Sequence, residues 1–375
     1  MNDSDDRSKT FSGRLISLDA FRGFAIAGMF LVNNPGLYNA VYPPLAHAEW
    51  NGWTFADTIF PFFLFVVGVA TIISFSRKRD SISEQRLFWL ILRRSVSIIA
   101  LGLVMHAFHS HFSAIRIPGT LQRIGVCYGI AALITIRTSI RGQICLIVGL
   151  LASYWLMMEF IPVPGVGAGV YEPGKNFAAY IDSFVFSGHM WPEHPTWDPE
   201  GIISTLPAIA TTLFGVIAGQ WLMSTRPETA KSAWMTGGGL ALLLVGSILD
   251  RWLPINKSLW TSSYSIFMSG MACCCLGPLH WIVDVRGYKR WTKPLVTMGV
   301  NAIALYFLAG VLNKIMMSSV GDGRGQNIEA RTFALQGFLR FLSPVNASFF
   351  YAFSFLLVMY LVAYVMQKMG WFVRL

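Results

Sequence analysis

The chain has 375 residues, 54% of them hydrophobic and only 13% charged, with a formal net charge of +10. Soluble domains are nearer a quarter charged, so the composition excludes an ordinary soluble enzyme and points to a polytopic membrane protein. The positive charge does not indicate nucleic acid, because the basic residues fall in short runs between apolar segments, which is the pattern of membrane topology.

Residues Met1 to Gly13 are polar and are expected to be a flexible N-terminus. The first apolar run follows Asp19 and Arg22 and lacks a small-residue cleavage site, so it reads as a retained helix and not a signal peptide. Runs near the ~20-residue spanning length fall at 18–35, 55–76, 87–108, 121–137, 142–161, 202–223, 231–249, 262–283, 294–313 and 347–368. The expected fold is therefore all-α: a single transmembrane domain over 1–375 with about ten spans and a long loop, Pro162 to Gly201, between spans 5 and 6. A run at 330–343 is interrupted by Arg331, Gln336 and Arg340 and reads as a surface or re-entrant helix. Cys127, Cys145, Cys273, Cys274 and Cys275 lie in apolar segments without metal-ligand spacing and read as small core residues.

Strict alternation of the spans puts every basic run on one face: Arg7 to Arg14, Arg77 to Arg86, Arg137 and Arg141, Arg226 and Lys231, Arg286 to Lys293, and Lys368 with Arg374. By the positive-inside rule that face is cytoplasmic, as are both termini. His47, the 162–201 loop and the loop 314–346 then face outward.

The segment His47-Ala48-Glu49-Trp50-Asn51-Gly52-Trp53 runs into the second span, whose first turn holds Asp57. His titrates near neutral pH, which makes His47 a candidate proton handler, although an interfacial His with no role is the commoner case. An acid at membrane depth needs a reason. A capping box, with Thr54 as N-cap and Asp57 at N3, supplies one without any function. Pro61 removes a backbone donor and clashes with the Asp57 carbonyl, so the span should bend near its outer end. The first span ends Val32-Asn33-Asn34-Pro35, where Asn33 is either a helix stop or a donor to a developing oxyanion; the stop is the simpler account.

Trp197-Asp198-Pro199-Glu200 closes the long loop. Indole beside carboxylates suits an amino sugar, while acids before a helix also satisfy its dipole. His106, His109 and His111 cluster at the end of the third span without an acidic neighbour, too few ligands for a zinc site. Snorkelling accounts for Arg93 and Arg94. A buried Arg22 or Arg123 would need a partner or an anionic ligand.

Several segments carry a family resemblance in matching order over nearly the whole chain. They are Leu18-Asp19-Ala20-Phe21-Arg22-Gly23, Val32-Asn33, His47 through Asp57 and Pro61, and Arg116-Ile117-Pro118-Gly119 with Leu121-Gln122-Arg123. Further on come Asp198-Pro199-Glu200-Gly201 and Asn256-Lys257-Ser258-Leu259-Trp260-Thr261. The chain resembles the heparan-α-glucosaminide N-acetyltransferase family, in particular its shorter bacterial members. The resemblance implies a transmembrane acetyltransferase of the bacterial inner membrane, a homodimer, that moves acetyl from cytoplasmic acetyl-CoA to a glucosamine amine across the membrane. It matches His47 and Asn33 to the family's active-site His and Asn, and Asp57 to the acid of the following helix. Two departures from the family pattern are expected: no counterpart here of the family's luminal N-terminal domain and additional first span, and an Asn33–His47 loop lengthened by Pro43-Pro44.

On that reading His47 is the general base or a covalent nucleophile, Asn33 binds the oxyanion and Asp57 orients His47. Trp50, Arg116, Trp197, Asp198 and Glu200 are candidate acceptor contacts. Arg22, Arg93, Arg94, Arg123 and Lys293 are candidate contacts for CoA. No metal and no nucleic acid are expected, whereas lipid is. The alternatives are an amino-sugar permease and an O-acetyltransferase of an envelope glycan.

Overall fold

The computed structural model describes residues 14–76, 82–109, 115–321 and 327–373. The expected flexible N-terminus, the Arg77-Lys78-Arg79 run, His111, Asp322 and Arg374 lie outside the described residues. The protein is built from α1 (Ile16–Asn33), α2 (Phe55–Ser76), α3 (Glu84–His109), α4 (Thr120–Arg137) and α5 (Ile140–Phe160). After these come a short α6 (Phe177–Val185), then α7 (Ile202–Leu222), α8 (Glu228–Leu249) and α9 (Ser262–His280), which runs on into a π turn at Trp281–Val285. The remainder is α10 (Lys293–Val300), α11 (Ala302–Met316), a small hairpin of β1 (Ser319–Gly321) and β2 (Asn327–Glu329), α12 (Ala330–Leu339) and α13 (Pro344–Lys368).

Eight of these helices are long and apolar enough to cross a membrane: α1, α2, α3, α5, α7, α8, α9 with its π turn, and α13. The expected run 294–313 is broken into α10 and α11, bent by 69°, and counts as a ninth span if the pair is taken as one. The expected segment 121–137 does fold as α4, but its 18 residues include Gln122, Arg123 and Arg137 and do not reach the same apolarity. The break in the α10–α11 pair falls at Asn301. Its side chain donates to the Trp371 carbonyl (3.0 Å) and accepts from the Val373 amide (3.1 Å), so the C-terminal tail is pinned at the interruption.

The four helices α1, α2, α7 and α9 are mostly buried and form the centre of the bundle, whereas α3, α5 and α8 expose apolar side chains such as Val104, Val148 and Leu244 outward. Without a hydrophobic force between helices in lipid, close packing needs small residues at the contact. α2 and α7 meet through reciprocal glycines: a Cβ on Gly68 would overlap the Thr212 carbonyl, and one on Gly215 would overlap the Phe65 carbonyl. α1 is started from afar, since both oxygens of Asp284 accept from the amides of Ile16 and Ser17 (3.1 Å each). This supplies partners for the donors that a helix N-terminus leaves open. α12 packs Leu335 against Ala347 and Tyr351 of α13 at the other end of the bundle, beside the C-terminus of α1.

Candidate active site

The site grows out of the first turn of α2. Oxygen Oδ2 of Asp57 accepts from the amides of Thr54 and Ala48 (3.0 Å each), so the acidic half of the capping box forms. The other half does not: the Asp57 amide donates to the Thr54 carbonyl (3.1 Å) in place of the Thr54 hydroxyl, which itself donates to the Ala46 carbonyl at 2.6 Å. Pro61 leaves the Asp57 carbonyl without its helical donor. The buried Tyr264 hydroxyl on α9 takes that place at 2.6 Å, which locks the start of α2 to the centre of the bundle.

The remaining oxygen, Oδ1, faces His47. His47 Nδ1 stands 2.7 Å from it, on a side chain 45% exposed against 1% for Asp57. A third group completes the cluster. Lys257 Nζ lies 3.3 Å from Asp57 Oδ1, and 3.0 and 3.3 Å from the two ring nitrogens of His47. Burial lowers the Lys257 pKa, and the charges of Asp57 and Glu200 oppose that shift. Lys257 belongs to one of the segments that carry the resemblance, yet its chemistry is not legible in the sequence. The signal that could have found it is a lysine inside an otherwise polar-neutral and aromatic outer turn.

The loops around this cluster are tied together. Trp50 Nε1 donates to the Tyr171 carbonyl (2.9 Å), and the Trp50 and Trp197 rings meet edge to face at 5.2 Å. His194 stacks on Trp197 at 4.7 Å. Trp50 and Trp197 therefore stand together. Asp198 and Glu200 are near neighbours, but their carboxylates are already engaged. Arg116 binds both oxygens of Asp198, at 2.8 and 2.6 Å, and Oε2 of Glu200, at 2.5 Å, while its guanidinium lies 5.4 Å above the Trp191 ring. Burial works against the Arg116 charge, but the two carboxylates outweigh it and raise its pKa further. Asp198 also accepts from the amides of Trp191 and Glu200 (3.0 Å each), which uses up its acceptor capacity.

One further acid lies buried behind this layer. Asp182 accepts from the Ile202 amide at the start of α7 (2.9 Å), and a Cβ at Gly201 would overlap its carboxylate. Burial pushes its pKa up to about 7, against the pull of the Ile202 amide and Arg123. Arg123 itself donates to the Gly201 carbonyl and Ser204 hydroxyl and sits 5.2 Å over the Trp260 ring.

Asn33 lies elsewhere. It is exposed at the end of α1 and lines a cavity of about 180 Å³ with Asn34, Asn313 and Tyr306, a cavity whose walls do not include His47. The helix stop is made by its neighbour: Asn34 donates back to the Phe30 carbonyl (2.8 Å) and accepts from Asn313 (2.6 Å). His106 lies 2.8 Å from the Arg116 carbonyl, and the side chain of His109 lies outside the described residues.

A second cavity, of about 690 Å³, opens at the opposite end of the bundle between Arg14, Lys289, Arg290, Lys293, Tyr360 and Lys368. Of the five bases read as CoA contacts, only Lys293 lines it. Arg22 is held by Asp19 (3.5 Å) and the Gly299 carbonyl (3.4 Å), and Arg94 sits over the Tyr128 ring. Arg93 is exposed on α3, and Arg123 belongs to the His47 end.

Fold and site together define a polytopic helical membrane protein with a His–Asp–Lys cluster at the mouth of a Pro-containing central helix. A family model for the catalytic part of heparan-alpha-glucosaminide N-acetyltransferase matches residues 14–248, and the chain belongs to that family. It is 31% identical to the human heparan-alpha-glucosaminide N-acetyltransferase over an alignment of 351 positions that takes in 78% of this chain and 52% of the relative. The mouse protein of the same name is 30% identical over 355 positions, covering 80% and 53%. The chain thus spans about half the length of the curated relatives it matches.

Proposed function

We propose that the protein is a transmembrane acetyltransferase that moves the acetyl group of acetyl-CoA to the amine of glucosamine or a related amino sugar. The observation that carries this reading is the half-exposed His47, held at Nδ1 by the buried Asp57. A neutral imidazole fixed in this way can take a proton from an acceptor ammonium, a contribution typically worth about 10²–10⁴-fold. The paired Trp50 and Trp197 offer apolar ring faces to a sugar beside it. The carboxylates of Asp198 and Glu200 act through Arg116, shaping this wall. Asn33 would turn its exposed amide toward the oxyanion when the acyl group reaches the outer end of α1. Whether the acetyl group passes directly or by way of His47 is read from a labelled acetyl-protein.

The donor is taken to enter from the opposite end, where the basic cavity around Lys293 suits phosphates. The charge bias of the loops supports a cytoplasmic side for that end and for both termini, and a bacterial inner membrane belongs to the same reading. A homodimer belongs to the same reading. In sealed vesicles of known orientation, acetyl-CoA on the basic face should acetylate glucosamine enclosed with the His47 face, and His47→Ala should abolish this while CoA binding persists. Accumulation of unmodified sugar with no thioester consumed would make the protein a permease instead. A donor active only from the His47 face would refute the transmembrane route.

A further inference from the structure

We propose that Lys257 is a positioning residue for His47: its ammonium group neutralises Asp57 and holds the imidazole in its neutral, proton-accepting form. The proposal rests on the reading of His47 as general base. A carboxylate alone beside a histidine favours the imidazolium. A base in that state rests with its proton already taken. Here Asp57 Oδ1 is shared: His47 Nδ1 lies 2.7 Å away and Lys257 Nζ 3.3 Å away. Nζ is also 3.0 and 3.3 Å from the two ring nitrogens. An ammonium group has donors and no acceptor, and both nitrogens of an imidazolium are donors too. At these distances the two cations have nothing to exchange and repel each other. The ammonium can therefore face the ring favourably only while the ring keeps a lone pair.

The groups that face His47 are Asp57 from α2 and Lys257 from the turn before α9. Glu200, ahead of α7, adds a negative charge felt at Lys257. Lys257 is set in place by a turn that an ordinary solvated lysine does not need. Asn256 is fully buried; it accepts from the Leu259 amide (2.9 Å) and donates to Asn51 (3.1 Å) in the His47 loop. The Gly52 amide donates to the Ile255 carbonyl (2.7 Å), so the two loops are joined by backbone as well. The turn closes through Trp260 at a φ of 49°, a left-handed conformation that is costly for a bulky residue. The buried Trp260 ring, bonded to Thr211 at 3.2 Å, holds that conformation. These bonds fix the backbone from which Lys257 projects.

The test titrates His47 without requiring acetyl transfer. Diethyl pyrocarbonate acylates an imidazole only in its neutral form, and His47 is exposed enough to react. The full-length protein in detergent is labelled between about pH 5 and 8.5, and the His47 peptide is quantified by mass spectrometry for the parent, Lys257→Met, Lys257→Gln and Lys257→Arg. Removing the ammonium should raise the midpoint of labelling by about one pH unit, so that labelling on the acid side falls several-fold. Lys257→Arg keeps the charge and should restore the parental midpoint. The Met and Gln variants are carried together so that one folding failure leaves the other readable. A parental midpoint in the uncharged variant overturns the proposal, as does an Arg variant that shifts as far as Met. If the shift appears while the parent transfers no acetyl group, the general-base reading fails and the charge pairing stands.

Discussion

Asp182 gives the most direct test of the site's electrostatics. It is buried on α6 beneath the start of α7, and its pKa rises from 3.8 to about 7. A carboxyl whose folded pKa lies above its unfolded value binds its proton more tightly in the folded state. Its contribution is therefore most favourable below the unfolded pKa, and stability falls as the pH rises through the window from about 4 to 7. At about 1.4 kcal/mol per unit, the full effect is on the order of 4 kcal/mol. Asp182→Asn keeps an oxygen to accept from the Ile202 amide, at 2.9 Å in the parent, but carries no charge. Thermal unfolding in detergent, followed by tryptophan fluorescence from pH 5 to 8, should show the parent losing several degrees more than the variant across this window. The variant should be the more stable of the two at pH 8. Identical pH slopes in the two proteins would refute the assignment, whatever the other acids contribute, because they titrate in both.

The remaining predictions concern α2. Tyr264→Phe leaves the Asp57 carbonyl unpaired and should cost about 1–3 kcal/mol; adding Pro61→Ala, which returns an amide at that position, should recover part of the loss in thermal unfolding. Gly68→Ala drives a methyl into the Thr212 carbonyl and should sharply reduce the folded yield in size-exclusion chromatography, whereas Gly237→Ala, with open space around it, should be neutral. Asp57→Asn should lower kcat/KM for acetyl transfer by more than tenfold with a loss of only about 1–2 kcal/mol in stability; equal losses would reduce Asp57 to a cap.

The spans were legible because a membrane asks for long apolar runs, and α2, α7 and α13 fall within a few residues of the segments expected. The break at Asn301 was not, since one Asn within a largely apolar run does not mark an interruption, and this one is held by Trp371 and Val373, some 70 residues away. Tertiary distance hid the site's electrostatics in the same way. Asp198 and Glu200 read as open carboxylates because their partner, Arg116, stands 82 and 84 residues earlier in the chain. Lys257 meets His47 across 210 residues. A short polar motif announces which side chains are available, whereas the charge that answers each one comes from another loop.

Asp57 shows why a structural and a functional account of one residue need not compete. Its two oxygens are separated in role: Oδ2 takes the Thr54 amide at the helix start and the Ala48 amide of the His47 loop, and Oδ1 takes His47 and Lys257. An asparagine has one acceptor oxygen and must choose. If that oxygen stays with the backbone amides, the amide nitrogen turns toward an ammonium group and a ring nitrogen, and only the second can accept from it. The helix start then survives, while the balance of charge around His47 is lost. The helix-starting oxygen sets the position from which the other oxygen meets His47, so the cap is part of how the base is aimed.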